Sequence, residues 1–99
     1  MPGLARVGDR DEMHCDVPFR DGHFADVTAN GKGLSCQGHK NTTHLYPCKC
    51  PPCCCSHAKV ILRGSPNVFA HNTPVGRVGD PVGPMCTSVA QGSPNVFAN

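Results

Sequence analysis

The sequence has no tryptophan, one tyrosine and four phenylalanines in 99 residues. Aromatic side chains, which bury the most surface, therefore contribute little to a core. Hydrophobic residues make up 38% of the chain, and that share includes eight cysteines. Charge is also sparse: 16% of residues are charged, nine basic against seven acidic, for a formal net charge of +2. That balance excludes a nucleic-acid binder working by phosphate neutralisation. No apolar run approaches the roughly 18 residues that would suggest a membrane-spanning helix. The N-terminal stretch Met1-Pro2-Gly3-Leu4-Ala5-Arg6-Val7-Gly8-Asp9 lacks the apolar core of a secretory signal. The expectation is a protein made in the cytoplasm, where cysteines read as metal ligands before they read as disulfides.

Catalytic signatures are missing too. There are no paired carboxylates, no G-x-S-x-G, no G-x-G-x-x-G and no H-E-x-x-H. The chain is expected not to be an enzyme and to have no small-molecule substrate. No window carries the i, i+3, i+4 apolar spacing of an amphipathic helix.

Glycine and proline are abundant, at 11 and 10 residues. They favour short strands joined by tight turns, and so an all-β fold in a single domain over residues 1–99. A core this thin would need help from metal, disulfides or a partner surface.

The chain repeats itself. Gly64-Ser65-Pro66-Asn67-Val68-Phe69-Ala70 recurs residue for residue as Gly92-Ser93-Pro94-Asn95-Val96-Phe97-Ala98. Arg6-Val7-Gly8-Asp9 recurs as Arg77-Val78-Gly79-Asp80. A weaker copy, Val27-Thr28-Ala29-Asn30-Gly31, aligns so that Gly38-His39 falls on Gly79-Asp80. Each unit reads as a β-hairpin with Asn-Gly or His-Asn at its turn and a second strand ending at Gly-Asp. The last copy lacks a second strand and the first segment lacks a first, so the two ends are expected to pair. Three such units predict a closed body of approximate threefold symmetry. The longest spacing between units holds the run Cys48 to Cys55, read as an irregular Cys-rich insertion over about residues 45–58.

The same register picks out metal ligands. His14 lies five residues after Asp9, His44 five after His39, and Cys86 six after Asp80. Symmetry would bring these three together. Zinc accepts imidazole and thiolate in closed four-ligand sites, and Cys54-x-x-His57 offers the fourth ligand from either end. Rival ligands or cross-linking residues are Cys15, which neighbours His14, and Cys36, Cys48, Cys50, Cys53, Cys54 and Cys55. Cys50-Pro51-Pro52-Cys53 leaves room for a second zinc or for disulfides. His23, His39 and His71 read as surface or turn residues.

These residues resemble PAAR-repeat proteins. The similarity lies in the opening Met-Pro-Gly-Leu-Ala-Arg-Val-Gly-Asp, in the two Gly-Ser-Pro-Asn-Val-Phe-Ala copies, and in Thr73-Pro74-Val75-Gly76-Arg77-Val78-Gly79-Asp80. Pro74-Val75-Gly76-Arg77 stands where the family has Pro-Ala-Ala-Arg, matching at the outer two residues. The likeness covers nearly the whole chain and weakens from about Asp16 to Ser56.

PAAR-repeat proteins tip the spikes of contractile injection machines: type VI secretion systems, phage tails and related extracellular particles. The resemblance implies a small cone with zinc near its apex, held by His14, His44, His57 and Cys86. It also implies a base that caps a trimeric β-helical spike, one tip per trimer, and transient contact with a target membrane during piercing. With no toxin domain in 99 residues, the chain is expected to be a bare tip on a secreted or virion-borne spike. Two other classes fit less of the pattern. A disulfide-stapled interaction module leaves the registered histidines unexplained. A zinc-binding redox module with reactive Cys50 and Cys53 leaves the repeat unexplained.

Overall fold

Short apolar runs punctuated by Gly, Pro and Asn give short strands and tight turns. A computed structural model describes residues 2–13, 16–47, 54–83 and 86–99. Its described strands, in chain order, are β1 (Phe24–Ala29), β2 (Lys32–Leu34), β3 (His44–Pro47), β4 (Cys54–His57), β5 (Val60–Ile61), β6 (Phe69–Ala70), β7 (Thr73–Pro74), β8 (Pro81–Gly83) and β9 (Thr87–Ser88). The described residues contain no helix, and every strand pairing is antiparallel. The body measures 40 × 23 × 21 Å.

Two hairpins follow directly from their turn residues. β1 and β2 join at Asn30 (φ 56°) and Gly31 (φ 77°). β6 and β7 join at His71 (φ 50°) and Asn72 (φ 60°). Positive φ at both central positions matches the right-handed twist of the strands, and Asn and Gly adopt it at least cost. The third copy does not form a hairpin from its own sequence. Instead Gly3 bridges Phe97, Leu4 N–H donates to Val96 O at 3.0 Å, and Ala98 N–H donates to Pro2 O at 3.1 Å. The two ends of the chain therefore pair, as the incomplete first and last copies predict.

The Gly-Asp elements differ from the expectation that they end the second strands. β2 stops at Leu34 and β7 at Pro74, and a separate turn follows each. Asp9, His39 and Asp80 each donate N–H to the residue three back, Arg6, Cys36 and Arg77, at 3.0 Å. The glycine between is left-handed each time, at φ 87°, 88° and 93°, as position i+2 of a type II turn requires. The turn's last side chain then accepts the first residue's N–H. Asp9 Oδ2 does so at 2.9 Å, Asp80 Oδ2 at 2.7 Å and His39 Nδ1 at 2.8 Å. Each Asp also grips its own arginine through two side-chain bonds.

Corresponding positions of the three units meet head to tail. Ala5 N–H donates to Gly76 O (2.8 Å), Gly76 N–H to Ser35 O (3.1 Å), and Ser35 N–H to Ala5 O (3.0 Å), closing a ring. A second set links Val7 to Gly33, Gln37 to Pro74 and Val78 to Gly3. The apolar residues follow the same correspondence. One buried cluster joins Leu4, Leu34 and Val75 with Ala29, Ala70 and Ala98, plus Cys36. The other joins Ala5, Ile61, Val82 and Val89, with Cys86 packed against it.

The segment read as an irregular insertion is regular at its described flanks. β3 and β4 pair in register, His44 opposite His57 and Pro47 opposite Cys54. Leu45 and Tyr46, alternating apolar residues, explain the strand character that a focus on cysteines overlooked.

Candidate metal centre

The site grows out of the β3–β4 pairing. Residues directly opposite in antiparallel strands project to the same face with Cβ atoms about 5 Å apart. His44 and His57 hold that position, and their ring centroids are 4.4 Å apart. Cys86 comes from another part of the chain. It immediately precedes β9, which pairs with β8, and packs on the Ile61–Val82–Val89 cluster. The ligand-capable atoms of His44, His57 and Cys86 all lie within 4.8 Å of one another. His44 Nε2 is 2.9 Å from His57 Nε2 and 3.3 Å from Cys86 Sγ. His44 is buried, while His57 and Cys86 are half-buried.

The tautomer of His44 is set by its other nitrogen. Nδ1 lies 2.7 Å from Thr42 O, an oxygen that only accepts, so Nδ1 carries the proton and Nε2 directs its lone pair into the cluster. Metal-ligating histidines are oriented in this way, with the second nitrogen donating to a carbonyl. Burial pushes the Cys86 thiol above its ordinary range, while a hydrogen bond from Asn41 opposes the shift. The three side chains form a group that could hold a metal ion.

A polar group lies behind the sulfur. Arg20, Asp11 and Asn41 are each at most 2% exposed. Arg20 Nη2 and Asn41 Nδ2 both donate to Asp11 Oδ2 at 2.9 Å, and Asn41 Nδ2 is 3.9 Å from Cys86 Sγ. Burial pushes the Asp11 carboxyl up and the Arg20 guanidinium down, each opposed by the charge of the other. Asp11 Oδ1 and Arg20 Nε have no hydrogen-bond partner among the described residues. These three residues escaped a search for ligands by type. The register could have found them: Asp11 and Asn41 each lie two residues beyond a turn, where the third unit has Val82.

Of the candidates from the sequence, the structure brings together His44, His57 and Cys86. His14, Cys15, Cys48, Cys50 and Cys53 lie outside the described residues. Cys54 and Cys55 lie on β4. Cys36 is corrected as a ligand candidate. It is fully buried in the other cluster, with Leu4 and Val75, and its Sγ–H donates to Leu34 O at 3.9 Å. Burial pushes its thiol up to about 11. His39 is a turn residue, as expected. His23 and His71 have exposed hydrogen bonds, His23 to Asp21 O and His71 to Asp26.

No known protein-family model matches this chain, and no curated protein matches it.

Proposed function

We propose that the protein is a zinc-bound structural tip that caps a trimeric β-helical spike of a contractile injection machine, as its resemblance to PAAR-repeat proteins implies. The observation that carries the reading is the His44–His57–Cys86 cluster on a body whose three units bond head to tail. A chain with three corresponding edges suits a partner with three identical ones. The long axis of 40 Å beside two nearly equal short ones, 23 and 21 Å, is compatible with a cone.

The donor set suits zinc, which takes imidazole nitrogen and thiolate sulfur at about 2.0–2.1 and 2.3 Å. Tetrahedral bonds of that length put two nitrogens about 3.3 Å apart, so the observed 2.9 Å opens only slightly to admit the ion. His44, His57 and Cys86 would hold it, with His14 as the fourth ligand that the register and the resemblance both supply. When bound, the ion supplies a closed structural cross-link and no open position for chemistry. It would tie the β3–β4 hairpin to the segment before β9.

Two features support a docking surface away from the metal. Val68, Phe69, Val96 and Phe97 are exposed although apolar. They sit beside Ala70 and Ala98 of the first core cluster, while Cys86 packs against the second. Exposed apolar residues and short strand edges of this kind are what a partner's blunt end would cover.

Native mass spectrometry of the purified chain tests the metal. We expect one bound zinc, lost in His44→Ala; a protein purified without metal and indifferent to added zinc would overturn the reading. For the partner, a trimeric β-helical spike should retain one chain per trimer, and Phe69→Asp with Phe97→Asp should abolish retention. Retention unchanged by those substitutions would rule out this surface.

A further inference from the structure

The three units place corresponding residues in a shared buried layer, and the layer is chemically uneven. Isolated bridges and strand pairs link Asp11 to Val89, Asn41 to Arg20 and Val82 to Ile61. One unit's contribution, Val82 with Ile61 and Val89, is entirely apolar and no more than 3% exposed. Backbone and space at these positions therefore accept valine and isoleucine. The other positions nonetheless hold an arginine, an aspartate and an asparagine, all buried. Burying such groups costs several kcal/mol per ion before pairing, and apolar replacements of buried ion pairs are often neutral or stabilising. The fold alone gives no reason for the polar set.

The neighbouring sulfur gives one. The orientation of the Asn41 amide is fixed: Oδ1 accepts the Lys59 N–H at 2.9 Å, so the donor nitrogen faces the other way. Its two hydrogens have two acceptors, Asp11 Oδ2 at 2.9 Å and Cys86 Sγ at 3.9 Å. Asp11 is held in turn by Arg20, which is anchored on His39 O at 3.2 Å and Ser35 Oγ at 3.4 Å. The chain Arg20–Asp11–Asn41 thus ends with an N–H aimed at the sulfur.

We infer that Asn41 is a positioning residue for the metal centre, directing one amide hydrogen to the Cys86 sulfur while Asp11 and Arg20 lock the amide from behind. The inference rests on the metal-binding reading above and deepens it. An N–H donor orients a thiolate ligand and draws electron density from it, which tunes both affinity and the metal–sulfur bond. Asp11 and Arg20 cancel each other's charge, so the sulfur receives a donor without a second full charge beside it.

The test uses zinc and cobalt(II) on the full chain. Asn41→Val installs the residue found at position 82. It should weaken zinc binding about 10- to 100-fold in competition with a chromophoric chelator, the usual effect of losing an outer-shell partner. The sulfur-to-cobalt charge-transfer band should move to lower energy, because the sulfur regains the density that the N–H withdrew. Asn41→Asp keeps the acceptor for Lys59 and removes the donor, so it should move the band in the same direction even where Asn41→Val folds poorly. In a Cys86→His background, Asn41→Val should change zinc affinity by less than about twofold, the scale of independent sites. An unmoved band in both variants, or an equal loss of affinity in both backgrounds, would reduce Asn41 to a packing residue and overturn the inference. Failure of the unaltered chain to bind either metal would be distinguishable, because it removes the metal centre itself.

Discussion

His39 shows how much one residue changes in an otherwise repeated turn. Where Asp9 and Asp80 accept the turn's first N–H through a carboxylate, His39 uses Nδ1, which accepts only while unprotonated. Burial, His23 and Arg20 all hold its pKa below the ordinary value of 6.5. The folded state therefore resists protonation more than the unfolded chain does. Its contribution to stability is complete above about pH 6.5 and is lost as the pH falls below that value. His39→Asp restores the carboxylate of the other turns. The stability difference between wild type and His39→Asp, measured by urea unfolding from pH 7 to 5, should shift in favour of the variant as the pH falls. Ligand histidines common to both proteins cancel in that difference. A constant difference would mean that His39 keeps its lone pair for some other reason.

Among elements, the closed ring of Ala5, Ser35 and Gly76 limits how closely the three units approach. All three positions carry small residues, and Ala5 and Ser35 have no exposed surface. A Cβ on Gly76 would overlap Ser35 O and come within 2.7 Å of Ile61 Cδ1 and 3.3 Å of Ala5 Cβ. The backbone oxygen cannot yield without breaking the ring. Gly76→Ala should therefore cost roughly 1–3 kcal/mol, the range for overpacking a tight core, in chemical denaturation at fixed zinc. A loss below about 0.5 kcal/mol, the scale of surface substitutions, would show that the ring expands freely.

At the scale of the molecule, a thin core and a metal cross-link act together. The buried apolar residues include four alanines but only Leu4, Leu34 and Ile61 from the leucines and isoleucines. Such a core leaves little reserve against a net stability of about 5–15 kcal/mol. Zinc at 1,000 times its dissociation constant adds about 4 kcal/mol by mass action. In a domain of this size each kcal/mol is worth about 4–8 °C. Removal of zinc with a chelator should therefore lower the melting temperature by roughly 15–30 °C, and His44→Ala should melt where the chelated wild type does. Coincident melting of chelated and zinc-loaded wild type would deny the metal any structural role.

The sequence by itself determined the features encoded by local or repeated residues. Asn30-Gly31 and His71-Asn72 dictate hairpins because positive φ is a property of the residues present. The repeats mark which positions correspond, and so point to His44 and Cys86 although they lie far apart in the chain. Tertiary structure decided the rest, because the rest depends on which strands face each other. Nothing in the run of cysteines shows that β3 and β4 align His44 with His57; that register comes from pairing across a gap in which turn chemistry gives no direction. Nor could composition show that Arg20, Asp11 and Asn41 lie in the interior. Charged residues normally stay in water, and only closure of the three units brings the arginine and the aspartate close enough for each to offset the other's desolvation.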